Sequence, residues 1–140
     1  MNVVVKIVVA LIVGLVSRNL EAQNTYNITV IIKEVTNDKG QMFLALYNSE
    51  TDFLEKELKG AKSKIVSNSC TVTIENIPAG VYAVSVFHDE NDNGKMDTNF
   101  MGIPKEDFGC SNDAKGLMGP PKWNDAKFEL QSDTSITIHL

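Results

Sequence analysis

Apolar and polar residues alternate with a period of two along most of the chain, the spacing that sends successive side chains to opposite faces of a β-strand. Tyr26, Ile28, Val30 and Ile32 fall on one face, with Asn27, Thr29 and Lys33 on the other. After the turn Asn37-Asp38-Lys39-Gly40, a second strand is predicted over Gln41–Asn48, and the two are expected to pair as a hairpin. Ser49 or Thr51 is placed to cap a short helix that ends at Gly60. Strands resume at Ser63–Ser67, Cys70–Glu75, Val81–His88, Ala126–Leu130 and Ser135–Leu140. Seven short strands with little helix predict an all-β fold, a seven-stranded antiparallel β-sandwich with one long ordered loop. Neither an internal repeat nor a linker interrupts residues 23–140, so one domain is expected there.

Ile77-Pro78-Ala79-Gly80 reads as a tight turn, Pro78 fixing φ and Gly80 permitting a positive φ. With the strand that follows, residues 77–86 resemble the proline-alanine-glycine-x-tyrosine signature of transthyretin-like and carboxypeptidase-regulatory-like sandwiches. That resemblance implies an immunoglobulin-like or transthyretin-like topology and carries no chemistry.

The N-terminus reads as an export signal. Lys6 precedes an apolar run from Ile7 to Val16, and Leu20-Glu21-Ala22 ends in the small residue that signal peptidase prefers. Residues 1–22 are expected to be a cleaved signal peptide, leaving Gln23 first and placing the protein in the periplasm or outside the cell. The run is half the roughly 20 residues of a membrane-spanning helix, so no span is expected after cleavage. The whole chain carries net charge −5, and loss of Lys6, Arg18 and Glu21 leaves −6. No basic cluster interrupts that acidity, which argues against nucleic acid as a partner. Cys70 and Cys110 either form one disulfide in an oxidising compartment or remain two buried thiols.

Residues 89–122 hold almost no strand pattern, and a loop so long is functional or disordered. Phe100, Met101, Ile103, Phe108, Leu117, Met118 and the following Trp123 argue for order. The loop opens with a cation-binding spacing. Asp89, Asn91 and Asn93 offer side-chain oxygens at positions one, three and five. Gly94 takes the sharp turn at position six, the Lys95 carbonyl follows at seven, and Asp97 closes at nine. Calcium takes six to eight hard oxygen ligands, and this stretch supplies several of them. Phe100 at position twelve excludes an EF-hand, and the pattern is closer to the β-hairpin calcium loops of integrin α-subunit propellers. Two acids of those loops are Asn here, which predicts weak binding, about 10⁻⁴–10⁻³ M. The competing reading is a plain hairpin turn at Asn93-Gly94.

From Ile77 to Ala126 several motifs stand in order: the PAG-Y-A turn, the HDEN-NGK-D-N loop, GIPKE, a G-SN step, and GPP followed by an aromatic and DA. Together they resemble the bacterial domain-of-unknown-function family numbered 2141. The resemblance implies secretion, a β-sandwich and no known activity. Cys110 departs from it, standing where an aromatic is expected, so a bridge to Cys70 would be particular to this chain.

Catalytic candidates are few. His88, Asp89 and Ser111 are the residue types of a hydrolytic triad, yet their spacing does not require one. Glu106 and Asp107 read as a paired-acid site or a solvated turn, and His139 as a surface residue. Two His and two Cys, widely separated, lack zinc spacing. A non-enzymatic binding module is the better expectation, with Phe100, Phe108 and Trp123 either presenting a surface to a glycan or cell-surface polymer or packing beneath the loop. A structural envelope protein without a small ligand is the alternative.

Overall fold

The alternation in the sequence becomes eight strands rather than seven. The computed structural model describes residues 22–140, so the export segment expected over residues 1–22 lies, but for Ala22, outside the described residues. The strands are β1 (Thr25–Lys33), β2 (Gln41–Tyr47), β3 (Lys59–Ser63), β4 (Cys70–Pro78), β5 (Gly80–Asp89), β6 (Phe108–Cys110), β7 (Phe128–Leu130) and β8 (Thr134–His139). They form two sheets, one ordered β4-β1-β8 and one ordered β3-β2-β5-β6, with β7 also paired to β5. Among the described residues helix is limited to a 3-10 turn at Ser111–Asp113 and the four-residue α1 (Trp123–Ala126). No helix among the described residues is long and apolar enough to cross a membrane.

The core lies between the sheets. Ile28, Val30, Ile32, Val72, Ile74 and Ile138 from the first sheet meet Met42, Leu44, Leu46, Val84, Val86 and Leu130 from the second. Burying each such side chain contributes about 1.5–3 kcal/mol. These are the alternate positions the sequence marked as apolar.

Several expectations are corrected by the pairing. β1 and β2 are not a hairpin, because they sit in different sheets. Glu34 takes a left-handed φ of 61°. Val35 is buried, and its N–H donates to the Asn68 carbonyl at 3.0 Å, which carries the chain across the sandwich. The first sheet is mixed, not antiparallel, since β8 runs parallel to β1 from Ile28↔Thr134 to Lys33↔His139. The helix expected before Gly60 stops after one turn. Ser49 Oγ accepts the Asp52 N–H at 3.3 Å, as a cap should, but Leu54 adopts φ 62°. The strand expected over Ser63–Ser67 lies earlier, at Lys59–Ser63, and the chain turns instead at Ser67 and Asn68, with φ 53° and 60°.

The proline-alanine-glycine turn is a corner between sheets. Tyr82 donates its hydroxyl to the Pro78 carbonyl at 2.7 Å, and the Ala79 N–H donates to the Asn24 carbonyl at 3.1 Å. The positive-φ glycines are Gly40, Gly94 and Gly102; Gly80 is not among them.

Candidate functional site

The long loop leaves β5 at Asp89, whose side chain is fully buried. Asp89 Oδ1 accepts the Asn93 N–H at 3.1 Å and Oδ2 accepts the Gly94 N–H at 2.8 Å. Gly94 makes the turn at φ 79°, in the left-handed region that glycine enters without strain. Asn93 Oδ1 accepts the Lys95 N–H at 3.1 Å. Asp97 closes the ring by accepting the side-chain amides of Asn93 at 2.7 Å and Asn91 at 2.5 Å. These two amides hold the Asp97 carboxyl below the ordinary aspartate range. The fold thus gathers Asp89, Asn91, Asn93 and Asp97 into one turn, while Lys95 is exposed.

The sequence reading named Glu106 beside Asp107 but did not connect it to this loop. Beyond Asp97 the chain makes a short excursion and returns. Thr98 bridges to Pro104, the Asn99 N–H donates to the Ile103 carbonyl at 2.9 Å, and the Lys105 N–H donates to the Asp97 carbonyl at 2.8 Å. The return brings Glu106 beside Asp97, where its Oε2 accepts the Asp97 N–H at 3.3 Å. Its Oε1 is buried and has no hydrogen-bond partner among the described residues. Burial, reinforced by the negative charges of Asp97 and Asp89, pushes the Glu106 carboxyl above its ordinary value. Glu106 is thus partly buried between the exposed Lys105 and Asp107, with one carboxylate oxygen turned inward. Its neighbour Asp107 is structural, accepting the Thr36 hydroxyl through its side chain and the His88 N–H through its carbonyl at 2.8 Å. Among the described residues no three His, Cys, Asp or Glu side chains are drawn together as a ready-made metal cage. The ring of this loop alternates carboxylates with the side-chain amides of Asn91 and Asn93 instead.

The residues of the hypothetical triad do not meet. His88 is buried, with Nε2 2.6 Å from the Lys39 carbonyl. Ser111 is also buried, and its Oγ accepts the Val84 N–H at 3.0 Å and donates to the Ala126 carbonyl at 2.5 Å. Asp89 is occupied by the loop's own amides. His139 instead pairs with Asp113 at 2.8 Å on the surface.

Residues 30–138 match the model of a family described as an uncharacterized protein conserved in bacteria, DUF2141. The chain belongs to this family. The DUF2141 match runs from β1 into β8 and takes in the whole 89–122 loop and Glu106. No curated protein and no solved structure matches the chain.

Two further features of this DUF2141 domain bear on its chemistry. Cys70 and Cys110 are free thiols, Cys70 in the main core and Cys110 in a second cluster with Tyr47, Phe53, Ala83 and Ala126. Burial pushes the Cys110 thiol up to about 12, out of the range of a reactive nucleophile. The loop aromatics divide. Trp123 packs edge-on against Phe53 at 5.7 Å, whereas Phe100 is 95% exposed and Phe108 44% exposed.

Proposed function

We propose that this protein is an exported, non-enzymatic binding module whose loop takes a calcium ion through Asp89, Asn91, Asn93, the Lys95 carbonyl and Asp97. To the set read from the sequence we add Glu106. The observation that carries the reading is Glu106 Oε1, buried without a donor in the field of two other carboxylates. A buried carboxylate oxygen beside other acids costs free energy, and a divalent cation bound in the loop would turn that repulsion into attraction. Oxygen-only donors of mixed charge suit calcium better than a transition metal. Export rests on the N-terminal segment, and its check is the intact mass of the released protein, expected to begin at Gln23. The Pro78–Tyr82 corner supports a kinship with immunoglobulin-like and transthyretin-like sandwiches.

Calorimetric titration with calcium, and magnesium as control, tests the cation site. Calcium should bind one per chain with a Kd of about 10⁻⁴–10⁻³ M and magnesium much more weakly. Asp97→Ala should remove the calcium heat. Absence of calcium binding in the unmutated protein, or binding unchanged in Asp97→Ala, overturns the assignment.

A further inference from the structure

Strand pairing builds a trough on the outer face of the second sheet, the face turned away from the main core. Lys62, Phe43, Phe87 and Phe108 are successive cross-strand partners, forming one row over β3, β2, β5 and β6. The Phe43 and Phe87 rings stack at 5.0 Å, and Lys62 Nζ stands 5.7 Å from the Phe43 ring centre. The adjacent row, Gly60, Ala45, Ser85 and Cys110, contains only small residues. Beyond it Tyr47 rises with Phe53 and Trp123 in the second cluster. A row of small side chains between the Phe43, Phe87 and Phe108 row and the Tyr47, Phe53 and Trp123 cluster is a channel across the strands. It spans three inter-strand spacings, about 14 Å. Met96, Met101 and Ile103 from the long loop line one side of it, and the cleft, open to solvent, measures about 1230 Å³.

We propose that this trough binds a single-chain anionic amphiphile, a medium-chain fatty acid. Its alkyl chain lies along Gly60, Ala45, Ser85 and Cys110, and its carboxylate sits against Lys62 and Lys95. The inference goes beyond the cation site and stands on separate observations. The floor and walls are apolar, and the polar groups of the floor satisfy each other, Tyr47 and Ser85 sharing a hydrogen bond of 3.1 Å. A sugar would find few partners for its hydroxyls there, while an alkyl chain needs none. Met96 and Met101, flexible side chains at its edge, adapt to an irregular chain. Charge selects the head group. In a chain of net charge −5, the cleft is lined by two lysines and one acid, Glu57. Glu57 lies toward Tyr47, whose hydroxyl feels its charge, away from the Lys62 end. Neither lysine forms an ion pair among the described residues, where the pair formed is His139 with Asp113. A second copy of the chain is a poorer occupant, since it brings the same net negative charge to a concave cleft.

The test is calorimetric titration with laurate in EDTA, which prevents calcium soaps and makes the outcome independent of the cation site. Laurate should saturate at one per chain. Ala45→Phe, which fills the floor, should weaken it at least tenfold while the protein still unfolds in one cooperative thermal transition. Lys62→Met keeps the apolar stem at an exposed site, and should weaken laurate by about two- to fivefold, the range of a surface ion pair, but not dodecanol. Laurate binding that is absent, or equal in Ala45→Phe, overturns the proposal. So does dodecanol binding as tightly as laurate with no effect of Lys62→Met, and so does saturable binding of a glycan panel in place of laurate.

Discussion

Glu106→Gln separates a cation ligand from an ordinary surface acid, because the two roles predict opposite signs in two conditions. Without calcium Glu106 is a carboxylate with one buried oxygen near Asp97 and Asp89, and its pKa is raised. A raised acid binds its proton more tightly in the folded protein. Its contribution to stability is therefore greatest when protonated and falls as pH rises from the ordinary value of 4.5 through the raised one. At neutral pH the charge is an expense, and Glu106→Gln in EDTA should melt at or above the unmutated protein. Asp97 works in the other direction. Its depressed pKa gives stability that is present above the ordinary value of 3.8 and lost as pH falls through the folded one.

With calcium the ranking reverses. At about 5 mM calcium and a Kd of about 10⁻⁴–10⁻³ M, binding to the folded state stabilises by about 1–2 kcal/mol. For a domain of this size that raises Tm by roughly 4–10 °C. A variant binding tenfold more weakly keeps about 0.2–1 kcal/mol, a rise of roughly 1–5 °C. The assay is thermal unfolding of both proteins in EDTA and in calcium at pH 7. A Tm for Glu106→Gln well below the unmutated protein in EDTA, or an undiminished calcium shift, refutes the reasoning.

Three other outcomes follow from the packing. Ser111→Ala leaves the buried Val84 N–H and Ala126 carbonyl without their hydroxyl partner, and should cost about 2–4 kcal/mol in urea unfolding. Gly40→Ala places a Cβ 1.9 Å from the Asp89 carbonyl oxygen at φ 64°, and should lower the urea midpoint by the equivalent of at least about 2 kcal/mol. Native protein should react with a thiol reagent at neither Cys70 nor Cys110, and reductant should leave Tm unchanged; a disulfide closing that loop would be worth about 3–4 kcal/mol, a loss plain on reduction.

Strand positions were legible because a half-buried strand must alternate, and Ile28, Val30 and Ile32 or Val84 and Val86 obey that rule whatever their partners are. Partners were not legible. Nothing in the alternation of β1 and β2 distinguishes a hairpin from two strands that cross the sandwich; the buried Val35 and the left-handed Glu34 decide it. Direction was hidden for the same reason. β8 reads as any apolar strand, and only its arrival from β7 in the opposite sheet lays it parallel to β1. The helix before Gly60 failed on one residue, Leu54, whose φ no propensity anticipates.

The site divides along the same line. That Asp89, Asn91, Asn93, Gly94 and Asp97 share one turn could be read from spacing, because a short loop gathers its side chains by local geometry alone. Glu106 lies outside that register and reaches Asp97 only because Thr98 and Pro104 bridge. The trough is less local still. Gly60, Ala45, Ser85 and Cys110 come from four strands, and no short window of sequence contains two of them. Their small size looks incidental one residue at a time, and acquires meaning only as a row between rows of aromatics. The loop joins the two features, since the segment that turns at Gly94 continues through Lys95 and Met96 along one side of the cleft.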